Sequence, residues 1–160
     1  MIEFRFTNVW KEDHPLERST DIATRIGADF RIVDLEFGRV LVRIDWMPVI
    51  ELAYHLLKWM RADPLTRADF DFVSIDSAEI GWVWIHKNID YQFDPSNLDI
   101  YEVTRSEWKI GSIHQIEELE YWLTLDQLHQ AISLFIDEVV SRVHWQLDID
   151  IVPLLEDDRL

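Results

Sequence analysis

The stretch from Phe30 to Trp46 leaves the chain few ways to fold. Two apolar-rich runs, Phe30 to Phe37 and Val40 to Trp46, flank the dipeptide Gly38-Arg39. Alternation with a period of two marks strands, and a glycine opening a two-residue connection fits a type II′ turn. The turn predicts a register in which Phe37 faces Val40, Leu35 faces Val42 and Val33 faces Ile44 on one side, with Asp34 and Arg43 paired on the other. A slip of one residue would scramble both sets, so the pattern and the turn support each other.

The remaining elements follow from periodicity and punctuation. Ile2 to Phe6 alternates as a strand does, and the polar segment 10–28 accommodates one short helix near Ser19 to Ile26. Pro48 suits the first turn of a helix. Val49, Leu52, Ala53, Leu56, Leu57 and Met60 then form one apolar stripe, which Asp63-Pro64 ends. Phe70 to Ile75 and Ile80 to Lys87 read as strands joined at Asp76-Ser77; the second is apolar on both faces, which predicts a central strand. Residues 88–97 read as a loop marked by Asp94-Pro95-Ser96-Asn97, and Leu98 to Thr104 with Glu107 to His114 as another hairpin. Thr124 to Gln127 has the form of a capping box. It opens a helix running to Trp145, with Leu128, Ala131, Ile132, Phe135, Ile136, Val139, Val140 and Val143 on its buried side. The tail offers Ile151, Leu154 and Leu155 for docking. Strand, hairpin, helix, strands, helix is an α+β order: an antiparallel sheet of about five to seven strands with two main helices packed on one face. A single domain spanning residues 1–160 is expected. The chain lacks βαβ alternation with Gly-rich turns, so a dinucleotide fold is not expected.

Charge narrows the choice of partners. Asp and Glu number 31 against 15 Lys and Arg, for a formal charge of −16 on 160 residues. Phosphate backbones and anionic membranes need clustered cations, so nucleic acid and membrane partners are not expected, and a basic protein is. Cysteine is absent, which excludes a disulfide framework, thiol catalysis and Cys-ligated zinc, and suits the reducing cytoplasm. The start of the chain shows neither a basic n-region nor an apolar h-region. Glu51, His55 and Lys58 interrupt the best candidate for a membrane span.

Catalytic chemistry finds little purchase. Asp69-x-Asp71 and Asp148-x-Asp150 have the spacing of paired metal carboxylates, but such spacings recur by chance in a chain this acidic. The six histidines include no i,i+4 pair. Ser112-x-His114 would share a strand face, yet it lacks the G-x-S-x-G elbow of a serine nucleophile. No catalytic residue, cofactor or metal is expected. Trp82, Trp84, Trp108 and Trp122 suit a packed core, and one or two of them reaching the surface would serve as interface anchors. Glu117, Glu118 and Glu120 lead directly into Tyr121-Trp122, the densest acidic and aromatic cluster. Together with Asp76 and Glu79 they form the candidate partner-binding patch, with Tyr121 or Trp122 as its anchor.

The segment from Phe70 through Ile85, followed by Trp108 to Gln115 and the Thr-capped helix, resembles small bacterial proteins, some of them similar to the immunity proteins of polymorphic-toxin systems. The resemblance spans roughly residues 45–155 and consists of strand and turn patterns. It implies a cytoplasmic α+β binder with no enzymatic residues to carry over. The acidic charge adds the first functional reading, a protein that neutralises a basic partner such as a nuclease toxin. Two other readings stay open: a structural or assembly subunit that forms homo-oligomers, and a hydrolase using paired carboxylates or a histidine.

Overall fold

A computed structural model describes residues 1–64, 66–77, 79–116 and 121–157. The α+β class is borne out. Among the described residues seven strands fall into two antiparallel sheets, not one. The first joins β1 (Ile2–Lys11), β2 (Ile26–Asp34) and β3 (Arg39–Met47) in that order. The second joins β4 (Phe70–Val73), β5 (Ile80–Asp94), β6 (Asp99–Gly111) and β7 (Tyr121–Thr124). As its two apolar faces require, β5 lies inside the sheet, between β4 and β6.

The helices are α1 (Ser19–Arg25), α2 (Val49–Arg61), α3 (Leu125–Leu147) and the short α4 (Val152–Leu155). The expected capping box opens α3: the Thr124 hydroxyl accepts from the Gln127 amide, and the Gln127 side chain accepts from the Thr124 amide. α2 and α3 pack on each other, α3 against β1 and α2 against β2, and both also touch the second sheet. One continuous core therefore serves both sheets. Phe135 of α3 stands at its centre, with the rings of Phe4, Phe6 and Phe30 at 5.7, 5.8 and 5.8 Å. The tail docks as expected, burying Ile151, Leu154 and Leu155.

Where α2 ends, Arg67 closes it. The buried guanidinium donates to the carbonyls of Met60 and Ala62, which the helix leaves unpaired, and lies 4.6 Å from the Trp59 ring. Its other terminal nitrogen, Nη1, meets Nε2 of His129 on α3 at 2.7 Å. Burial, and then the Arg67 charge, push the His129 pKa down, so a neutral imidazole accepts this bond.

The β2–β3 hairpin exists, but its register differs from expectation. Phe30 pairs with Ile44, Ile32 with Val42, Val33 with Val40 and Asp34 with Arg39, so the loop is the four residues Leu35 to Gly38. The cause is Asp34. Its carboxylate accepts the Glu36 amide at 3.0 Å and so starts the turn three residues earlier than a Gly-Arg reading allows. Gly38 then supplies the left-handed conformation, φ +64°, at the last loop position. The shift inverts the alternation: Phe30 and Ile32 face the core, while Leu35 and Phe37 are exposed in the loop.

Two further corrections concern the second sheet. Only the end of the expected loop 88–97 is a turn, residues 95–98, because β5 continues to Asp94, and β6 is one strand where a separate hairpin within 98–114 was expected. Ile89, Tyr91 and Phe93 alternate with Asp90, Gln92 and Asp94, a strand pattern that the turn residues Asp94-Pro95-Ser96-Asn97 obscure.

Phe135→Ala is expected to cost about 3–5 kcal/mol of unfolding free energy. The ring is buried against three others, and denaturant titration measures the loss. A loss under about 1 kcal/mol would mean that the core closes over the gap or does not depend on the ring.

Candidate interaction surface

Two buried carboxylates position this region. Asp34 ends β2 at zero exposure. Besides the Glu36 amide, it accepts from the Tyr121 hydroxyl at 2.9 Å and from Arg39 at 3.5 Å. Burial opposes its charge, but the hydrogen bonds from Tyr121, Glu36, Arg39 and Phe37 together outweigh burial and hold its pKa below the ordinary value. Tyr121 opens β7, so this bond ties the first sheet to the second. An antiparallel bridge between Val42 and Gln115 and a bond from the Ile116 amide to the Leu41 carbonyl extend the seam. Glu51, in the first turn of α2, is also fully buried. It accepts from the Ser74 hydroxyl and the Ile75 amide, each at 2.7 Å, and so anchors the β4–β5 turn to the helix. Burial raises its pKa above the usual carboxylate range, and Asp76 adds to the rise.

That turn carries Asp76 and Glu79. Because the strands are antiparallel, it lies at the same end of the second sheet as the β6–β7 connection. Glu117, Glu118 and Glu120 fall outside the described residues. Tyr121 is engaged elsewhere: its hydroxyl is committed to Asp34, and burial together with that carboxylate raises its pKa to about 12. Trp122 is half-buried on β7, with the Lys109 ammonium 4.3 Å from its ring centre. Asp76 and Glu79 are exposed, and Glu79 accepts from the Trp82 indole N–H at 3.0 Å and stands 4.0 Å from His114.

The contacts of Glu79 lead to a feature that the sequence reading did not assemble. On β5, Val83 and Ile85 point into the core, and the period of two sends Trp82, Trp84 and His86 to the other side, where all three remain half-buried. Trp84 lies against His86, ring centres 4.7 Å apart, and His86 Nε2 is 2.9 Å from the Asp71 carboxylate on β4. Trp82 meets the His114 ring edge-on at 5.9 Å. Trp84 faces Gly111 on β6, where a Cβ would come within 2.2 Å of the indole. Only glycine leaves room for the ring to lie flat. Cross-strand neighbours of β4 to β7 thus bring Asp71, Trp82, Trp84, His86, Lys109 and Trp122 onto one outer face, with Glu79 at its edge. The signal available in sequence was the pairing of Trp84 with Gly111, which requires the β5–β6 register to be known.

Catalytic geometry is not assembled from the candidates named in sequence. Ser112 Oγ accepts the His114 amide at 2.9 Å, closing a tight turn instead of meeting the imidazole. Asp69 accepts the Lys87 amide, Asp150 accepts the Val152 amide, and Asp148 caps α3 in the left-handed conformation. Among the described residues no three His, Asp or Glu side chains converge as a metal site, and no helix is long and apolar enough to cross a membrane.

The two buried carboxylates give opposite pH signatures. Asp34, with a lowered folded pKa, contributes stability that is present above its unfolded value of about 3.9 and lost as pH falls through the folded one. Glu51, with a raised folded pKa, costs stability when ionised, and that cost vanishes as pH falls through the raised value. Asp34→Asn is therefore expected to flatten the acid limb of a stability–pH curve. Glu51→Gln should flatten the decline that begins above pH 4.5. Tyr121→Phe, which removes a bond to a charged acceptor, should cost about 1.5–3 kcal/mol at neutral pH.

The family model for a domain of unknown function, DUF7878, matches residues 2–144, and the chain belongs to that family. Neither the curated proteins nor the solved structures contain a significant match.

Proposed function

We propose that this DUF7878 domain is a non-enzymatic binding protein that neutralises a basic partner, in the manner of an immunity protein against a cationic nuclease toxin. The observation that carries the reading is the outer face of β4 to β7. Three half-buried indoles, Trp82, Trp84 and Trp122, stand there beside Asp71 and Glu79 on a chain of charge −16. Indoles with part of their surface in water make interface anchors, and acidic neighbours select a cationic counterpart. A nuclease surface is cationic where it holds phosphate, so an anionic inhibitor can cover it and be steered to it. Asp76 and Glu79 supply the described part of the acidic rim, while Glu117, Glu118 and Glu120 lie outside the described residues. Trp82, Trp84 and Trp122 replace Tyr121 as anchors, because the Tyr121 hydroxyl holds the seam.

The test is binding kinetics against the protein encoded beside this gene. Rim charges act on encounter, so association should slow as salt shortens the Debye length to about 3 Å at 1 M. Asp76→Lys with Glu79→Lys should slow it further at low salt. Trp122→Ala should act on dissociation, raising the off-rate about 30-fold if the ring is a central anchor, equivalent to about 2 kcal/mol. Association indifferent to salt and to the double reversal would remove the acidic rim, and absence of binding by the wild-type chain would remove the reading itself.

A further inference from the structure

Beyond β4 and β7 the second sheet narrows to two strands. β4 pairs with β5 only as far as Ile85, and β7 pairs with β6 only from Glu107 to Ile110. Among the described residues no strand flanks the part of the β5–β6 hairpin from Ile89 to Thr104. Tyr91 pairs with Glu102 and Phe93 with Ile100, so these four side chains and Ile89 share one face. Gln92 pairs with Tyr101 and Asp94 with Asp99, and these share the other face with Asp90. Glu102 apart, the first face is apolar and open to water: Ile89, Tyr91, Phe93 and Ile100 are 39, 69, 59 and 71% exposed, and Leu98 at the tip 78%. The arm holds Asp90, Asp94, Asp99 and Glu102 and neither Lys nor Arg.

We infer that this arm is a dimerisation element whose apolar face is covered by the same face of a second copy of the chain. An isolated two-stranded ribbon is marginal in water and needs a third strand or an apolar partner surface. A contiguous apolar patch of this kind on a soluble protein marks an interface. The five exposed side chains offer on the order of 600 Å² per copy, hence roughly 1,200 Å² across a two-fold pair, which reaches the range of stable interfaces. An isologous contact needs a self-complementary patch, and Tyr91, Phe93 and Ile100 laid against their own symmetry mates provide one. Charge favours this orientation. Two arms meeting on the Tyr91–Phe93 face leave Asp90, Asp94 and Asp99 on the outside and bring only Glu102 of each arm's acids to the contact, whereas meeting on the opposite face would bring all three aspartates together. The inference is independent of the binding function above, which uses the outer face of the broad part of the sheet.

Sedimentation of the full-length chain over a hundredfold concentration range, at low and at high salt, tests it. A reversible dimer is expected, and it should tighten with salt, because screening relieves the repulsion between two bodies of charge −16. Phe93→Ser with Ile100→Ser should weaken self-association at least tenfold. Phe93→Leu with Ile100→Val should retain it, which separates loss of apolar contact from loss of the hairpin. Tyr101→Ser, on the opposite face, should leave it unchanged. A chain that stays monomeric at every concentration overturns the inference and assigns the patch to a different protein. A dimer indifferent to Phe93 and Ile100, or loosened equally by Tyr101→Ser, places the interface elsewhere and overturns it as well.

Discussion

The Asp34 carboxylate is the point at which two sheets become one body. It is reached from the β2–β3 loop through amides, from β3 through Arg39 and from β7 through Tyr121, and none of its surface is left to water. Such a group costs a great deal if any partner is missing, because an unpaired buried charge loses its hydration with nothing in return. The arrangement therefore sets geometry more than it adds net stability. It fixes the loop length, which fixes the register of β2 on β3, which decides that Phe30 and Ile32 face Phe135. The bond to Tyr121 spans 87 residues of sequence. Contacts of that separation close late, after local hairpins and helices, so the sheets are expected to dock as preformed pieces.

Asp34 also explains where sequence reasoning stops. α3 was readable end to end: its cap, its stripe and its buried Phe135 are local patterns with a period of 3.6. The central place of β5 was readable because apolar residues on both faces leave a strand no exposed side. The β2–β3 register was not, because a side chain taken for an ordinary strand acid is in fact a turn former, and the apolar residues around it tolerate either parity. Nor was the length of the β5–β6 arm, whose alternation of Ile, Tyr and Phe with Asp and Gln lies beside residues that usually mark a loop.

The candidate surface shows the same division. Asp76 and Glu79 were identifiable as turn acids, and the joint position of the β4–β5 turn and the β6–β7 connection follows from antiparallel order alone. Tyr121 looked like an anchor because aromatic and acidic residues adjoin it, but sequence cannot show that its hydroxyl is spent on a residue 87 positions away. Of Trp82, Trp84, Trp108 and Trp122, most were expected in the core because tryptophan usually belongs there, and sequence did not say which would reach the surface. The ambiguity lies in the strand itself, which is apolar enough on both sides that only the position of the helices decides which side is inside.

Gly111 gives the outer face a property that side-chain lists do not convey. Trp84 lies in a recess made by the missing Cβ, against His86, and a side chain seated this way has few alternative rotamers. For the proposed partner, docking here leaves little freedom to quench, because the ordering entropy of about 0.5–1.5 kcal/mol that a loose anchor loses on binding is settled during folding. The shape of this face is thereby set partly by the backbone: adding a single methyl at position 111 would rearrange the surface around Trp84 without altering any side chain exposed on it.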